Sequence, residues 1–376
     1  MNAKSLLALG VLLWTLAPTQ ADEPSKLTPE KLLPTWDKNQ AAKYLDSRQE
    51  AWFAWSRTDR GAGSSKTSCM SCHTVFAYAL ARPALRGALG NQPANSTEKR
   101  VIDQTRLRVS SWNRLDEPAV GRLYAPMPRQ STGTEAILNA AILASDDFYS
   151  GRAQPSTETL QAFQNLWQEQ LHDGAEKGAW PWMSGFKLEP WESKKSVYFG
   201  ATVAARAVRT APGYFPPAQD AALANNVQML RDYLRSHFND QNLYNQAWGV
   251  WASTALGGVL SPDQQKDTLA QLFAKQRPDG GWSLSSLGNF ARRDGTAQDE
   301  NSDGYATGLL LEVLRAAGVS RTDPRVAKGL AWLVANQQPT GEWRASSLNK
   351  RRDFATQEGK FMSDTATAYA VMALCH

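Results

Sequence analysis

Gln276-Arg277-Pro278-Asp279-Gly280-Gly281-Trp282 returns 61 residues later, without a gap, as Gln337-Gln338-Pro339-Thr340-Gly341-Glu342-Trp343. The agreement extends outward from both copies. Upstream, Leu272 and Ala274 correspond to Leu333 and Ala335; downstream, Ser285-Ser286-Leu287 corresponds to Ser346-Ser347-Leu348, and Ser302-Asp303 to Ser363-Asp364. Independent coincidences at a single offset mark a structural repeat, whose units bury their apolar faces against one another. Each loop follows an amphipathic segment (267–275, 325–336) and precedes one that is apolar nearly all round (305–317, 365–374). The first kind suits an outer helix with one wet face, the second a helix buried on most sides.

The same alternation continues towards the N-terminus. Outer helices are predicted at 38–55, 97–112, 156–171 and 220–237, and inner ones at 75–89, 133–144, 197–210 and 245–257. Pro262, Gly318 and Pro212-Gly213 punctuate the changes of direction. With the two C-terminal pairs this makes six helical hairpins. The predicted class is all-α: an (α/α)6-type toroid with a c-type haem-binding loop in its first hairpin. Outer-to-inner connections are long (56–74, 113–132, 172–196, 276–304, 337–364), whereas inner-to-outer ones are short. The long loops should therefore gather on one functional rim.

The Gln-x-x-x-Gly-x-Trp pattern resembles the QW repeat of squalene–hopene cyclases and of protein prenyltransferase β subunits. Ser363-Asp364-Thr365-Ala366-Thr367-Ala368 resembles the start of an inner helix in that superfamily. The resemblance implies the toroid more than any activity. The cyclases' Asp-x-Asp-Asp acid motif is not matched by Asp299-Glu300-Asn301-Ser302-Asp303, and a transferase's Asp/Cys/His zinc set is missing from the matching half, so both chemistries are disfavoured. Asp303 and Asp364 read as helix N-caps, Trp282 and Trp343 as clamps between hairpins, and Glu135 as part of a capping pattern. Asp299, Glu300 and Asp303 lining a cavity mouth is the alternative.

The other legible motif is Cys69-Met70-Ser71-Cys72-His73, the C-x-x-C-H spacing in which two thiols take up haem vinyl groups and the adjacent His faces the iron. Lys4, the apolar run 6–16 and Thr19-Gln20-Ala21 read as a secretion leader, too short for a comfortable membrane span. An exported, periplasmic chain with one covalent haem c is the resulting expectation, held by Cys69, Cys72 and His73. Met127, in Tyr124-Ala125-Pro126-Met127-Pro128, resembles the axial-Met loop of class I cytochromes c; Met183, Met362, His172, His237 or an open position are the alternatives.

The segments expected are 1–21 as leader, 22–147 as haem-bearing hairpins and 148–376 as toroid repeats, with 36–147 closing one ring or forming a separate cytochrome c domain. The functional expectation is electron transfer to a periplasmic redox partner, or chemistry on a small apolar molecule. A haem-dependent enzyme and a haem-bearing binding or scaffold module are the rivals. The formal charge of +5 and the lack of a Lys/Arg block argue against nucleic acid.

Overall fold

The computed structural model describes residues 35–61, 63–114, 128–216 and 220–376. The leader at 1–21 and Met127 lie outside them. Residues Trp36–His376 form one compact unit. Among the described residues, twelve α-helices alternate between an outer and an inner layer. The outer helices are α1 (Lys38–Ala54), α3 (Ser96–Ser110), α5 (Thr157–Gln168), α7 (Ala221–His237), α9 (Pro262–Ala274) and α11 (Pro324–Asn336). The inner helices are α2 (Val75–Ala88), α4 (Pro128–Tyr149), α6 (Ser196–Thr210), α8 (Leu243–Leu256), α10 (Gly304–Ala316) and α12 (Phe361–Cys375).

Local chemistry sets where the outer helices begin. Asp37, Asn95, Ser156, Asp220, Ser261 and Asp323 each turn a side-chain oxygen onto a first-turn amide, supplying an acceptor that the helix cannot. Asn95 and Ser261 add reciprocal bonds from Glu98 and Gln264. The inner helices pack in the closed order α2–α4–α6–α8–α10–α12–α2. Their buried stretches explain why those segments are apolar on every side: Leu309, Leu310, Val313 and Leu314 of α10 are all fully buried. The described strand content is a two-residue ribbon, β1 (Asp59–Arg60) against β2 (Thr67–Ser68). No helix among the described residues is long and apolar enough to cross a membrane.

A single clamp recurs around the ring. Gln276 Nε2 donates to Gly280 O at 2.8 Å and to Arg325 O at 2.7 Å, joining its own loop to the next outer helix. Gln337 repeats this at the seam, donating to Gly341 O at 3.1 Å and to Asp37 O at 2.9 Å. The sixth hairpin thus grips the first as the fifth grips the sixth. Trp282 and Trp343, both fully buried, donate Nε1 to Leu272 O at 2.8 Å and Leu333 O at 2.7 Å. These bonds pin each loop to its own outer helix, while the Trp282 ring packs on Gly329 of the next outer helix and Trp343 on Trp36 ahead of α1, the clamping between hairpins expected of them. Gln170 makes a third clamp, donating to Gly178 O and Asn226 O at 3.0 Å each, with Trp180 Nε1 on Leu166 O at 2.6 Å. The repeat offset hides this copy because Gln170 and Trp180 stand ten residues apart instead of six.

Two capping expectations are corrected. Asp303 is the N-cap of α10, accepting from Ala306 N at 2.8 Å. Asp364 is not a cap: α12 begins three residues earlier, at Phe361, and carries Asp364 inside its first turn. Glu135 also lies within a helix, α4, where it is buried and paired with Arg108. The fourth outer-to-inner connection is short, a single 3₁₀ turn at Phe238–Asp240, as the spacing of the predicted helices implied.

Candidate functional site

Inner helices start on the face where the long loops lie, so the residues just ahead of α2 and in the first turn of α12 meet there. The C-x-x-C-H segment is fixed from three sides. Cys69 N donates to Thr58 O at 2.7 Å, directly beyond the β1–β2 ribbon. Trp52 Nε1 donates to Cys69 O at 2.8 Å. Ser71 Oγ accepts from Thr74 N at 3.2 Å and Val75 N at 3.0 Å, capping the start of α2.

From this turn a buried hydrogen-bonded chain crosses the ring seam. Thr74 Oγ1 donates to Asp364 Oδ2 at 2.7 Å, which leaves its oxygen to accept from His73 Nδ1 at 2.8 Å. The imidazole proton therefore sits on Nδ1, and Nε2 holds the free lone pair. Asp364 also accepts from Arg48 Nε at 2.6 Å, Arg48 Nη2 at 3.0 Å and Tyr44 OH at 3.1 Å. Burial raises the Asp364 carboxyl, and Arg48, Thr74 and Tyr44 act against that rise. Tyr44 and Arg48 come from α1, His73 and Thr74 from the first loop, Asp364 from the last helix.

Aromatic rings enclose the imidazole. Phe361 stacks on it at 3.9 Å and 18°, Trp52 meets it edge-on at 5.1 Å, and Trp191 leans over it at 5.4 Å. Desolvation, reinforced by the positive charges of Arg48 and Arg352, lowers His73 to about 3, so the ring is neutral at ordinary pH. Glu192, next in sequence to Trp191, is partly exposed and is pushed up to about 7 by desolvation. Its charge raises the buried Cys72 thiol, after desolvation itself. Cys69 and Cys72 are free thiols, and burial raises both. Deeper along the axis, Trp191 Nε1 donates to Tyr305 OH at 2.9 Å, which bonds Tyr244 OH at 2.9 Å and stacks on Tyr369. These three tyrosines are buried and fill the middle of the ring. A rim cavity of about 340 Å³ lies between the loops, lined by Arg292, Asp299, Ser346, Arg351, Arg352 and Gly359 among others. Asp299 thus does line a cavity mouth.

The sequence singled out Cys69, Cys72 and His73 as a group, and they lie together in the turn ahead of α2. Among the alternatives to Met127, Met362 is buried in the first turn of α12, but its neighbour Phe361 is what meets the imidazole. Met183 Sδ accepts from Ser131 Oγ at 3.5 Å, and His237 Nδ1 lies 3.0 Å from Tyr233 O. Arg48, Tyr44, Thr74 and Glu192 were not anticipated. No local pattern marks a partner that lies 316 residues away, as Arg48 does from Asp364.

No family model matches the chain. A stretch of 108 residues is 30% identical to squalene–hopene cyclase of Bradyrhizobium diazoefficiens, covering 29% of this chain and 14% of that one. Another of 70 residues is 33% identical to a probable squalene–hopene cyclase of Sinorhizobium fredii, covering 19% of this chain and 11% of that one. The chain therefore matches only about a seventh of the length of these relatives at most. Among solved structures, an inactive variant of an α-1,6-mannanase from a Salegentibacter species, in complex with α-1,6-mannotriose, superposes with a TM-score of 0.52 at 11% identity, over 90% of this chain and 100% of that one. A type II terpene cyclase from Scytonema has a TM-score of 0.44 at 17% identity, over 89% and 99%. The fold is an α/α toroid, and part of the sequence is related to squalene–hopene cyclases.

These findings overturn the expectation of an electron-transferring haem protein. The relatives are cyclases, not cytochromes. The rings of Trp52, Trp191 and Phe361 surround the imidazole. Among the described residues, no group of three or more His, Cys, Asp or Glu side chains is arranged to hold a metal ion. The readings as cytochrome, iron protein and electron carrier go together. What C-x-x-C-H supplies here is a tight turn that delivers His73 to the cage and to Asp364.

Proposed function

We propose that the chain moves a proton on the double bond of an isoprenoid-class hydrocarbon, with His73 as base and Glu192 as acid. The observation that carries this reading is the neutral imidazole, fixed through Thr74 to Asp364 and faced by three aromatic rings. A base intended for a polar substrate has no use for such walls. Aromatic faces attract cations through their quadrupoles, so they favour the carbocation formed when an alkene is protonated. The relationship to proteins named squalene–hopene cyclase supports the substrate class.

The step balances as an isomerisation. The Glu192 carboxyl gives a proton to one alkene carbon, leaving a positive charge on the other. His73 Nε2 removes a proton from the carbon adjoining that charge, and the double bond re-forms one position along. Solvent returns Glu192 to its acid form at its exposed side and takes the proton from His73. Both pKa directions suit the roles: an acid near neutrality still carries a proton, and a depressed imidazole arrives unprotonated.

The test is incubation with squalene and shorter isoprenoid alkenes in D₂O, followed by mass spectrometry of the hydrocarbon. Deuterium should enter the hydrocarbon, and His73→Gln and Glu192→Gln should each slow its entry by about 10²-fold or more, the usual scale of acid–base catalysis. Incorporation that survives His73→Gln at full rate would refute the assignment.

A further inference from the structure

A second cavity, of about 590 Å³, lies on the seam between α1, the loop at 339–344 and the segment entering α12. It is a different space from the rim cavity, although Phe354 lines both. Its size falls in the range of small-molecule sites. Its surface divides in two. Pro339, Phe354, Ala355 and the lysine stems make an apolar wall, and around this stand Lys43, Arg344 and Lys360.

The charges facing the cavity do not cancel. Arg48 is neutralised by Asp364 at 2.6 Å. Glu342 lies 3.6 Å from Arg344. Lys43 and Lys360 make no ion pair with any described residue and leave the cavity cationic. An independent observation lies in its wall. Ser363 is 2% exposed, and its Oγ has no hydrogen-bond partner. A hydroxyl buried without a partner is destabilising, so such groups call for an explanation. The side chain of Asp364, its neighbour, is fully engaged, so the orphan is not a by-product of a loosely packed turn.

We propose that this seam cavity binds a small amphiphilic anion, an aliphatic chain ending in a carboxylate or phosphate. The chain would lie along Phe354 and Pro339, the acid group would be met by Lys43 and Lys360, and Ser363 would donate its free hydroxyl. A neutral lipid leaves the two ammonium groups unanswered, and a purely polar anion leaves the apolar wall wet. The site does not depend on the chemistry assigned to His73.

Calorimetric titration of the full chain with octanoate, octyl phosphate and octan-1-ol tests it. One or both anions should bind saturably at one site, and octanol at least tenfold more weakly. Binding by only one of the anions would assign the acid group. Lys43→Ala/Lys360→Ala and Ser363→Ala should each weaken the anion at least tenfold, with thermal unfolding of the unliganded variants at or above the wild-type temperature as the check on folding. Ser363→Ala removes no hydrogen bond and keeps the test usable if the double variant is unstable. Equal binding of octanol, no saturable binding of either anion, or undiminished binding by both variants would overturn the proposal.

Discussion

Replacing Gly341 by Ala strikes the ring where its two ends meet. The residue has φ +98°, a conformation that side chains resist at roughly 1–2 kcal/mol. An added Cβ would also overlap the Gln40 carbonyl and stand 2.9 Å from Ala41 N, both in the backbone of α1. Relief requires α1 to withdraw from the loop. That withdrawal stretches the reciprocal bonds between Gln337 and Asp37, now at 2.6 and 2.9 Å, each worth about 1 kcal/mol net. The total is about 3–4 kcal/mol. Gly90 is the matched control, with φ +95° and nothing within 4 Å of its would-be Cβ, so Gly90→Ala should pay only the backbone term, about 1–2 kcal/mol. Urea unfolding of the two variants at unchanged slope measures the difference, expected near 2 kcal/mol. If both lose the same stability, the loop at 337–343 does not bear on α1 and the account of the closed ring fails.

Arg48→Met should destabilise by about 3–5 kcal/mol, because Asp364 is left buried without its counter-charge, whereas Arg48→Met/Asp364→Leu should recover most of that loss; a double variant no better than the single one contradicts the pairing. Gln170→Ala should cost about 1–3 kcal/mol, like Gln276→Ala, since each removes two hydrogen bonds and strands a loop carbonyl, Gly178 O or Gly280 O; a neutral Gln170→Ala would deny the third clamp. Glu192, raised from 4.5 to about 7, holds its proton more tightly in the folded chain, so the wild type should lose stability relative to Glu192→Gln as pH rises through that interval. His73, lowered from 6.5 to about 3, works in the opposite sense. Stability should fall as pH drops from 6.5 towards 3, and His73→Gln should remove that slope, both readable by denaturant titration across pH.

The toroid was readable because its signals are local and repeated. Each outer helix carries one apolar stripe and a capping residue at its start, and each inner helix is apolar throughout, so Asp220 and Ser261 alone place two boundaries. The clamp at Gln170 escaped because four inserted residues break the register on which detection of repeats depends. Asp364 misled for a related reason. Its counterpart Asp303 is a cap, but a 3₁₀ turn at Glu358–Lys360 starts α12 early and turns the same sequence position into an ion-pair partner. The candidate site was half legible. Cys69, Cys72 and His73 stood out by spacing, and that spacing belongs to a haem motif whose local pattern says nothing of the rings that arrive from elsewhere. Phe361 and Trp191 reach His73 only through the closed ring.

The bond from Thr74 to Asp364, which anchors His73, links residues 290 positions apart, and Phe361 lies in the same helix as Asp364. During synthesis the imidazole must therefore wait, without its anchor and without one wall of its enclosure, until α12 has emerged. A nascent chain arrested before α12 already holds Trp52, Thr74 and Trp191 but has neither Asp364 nor Phe361 to fix the His73 ring.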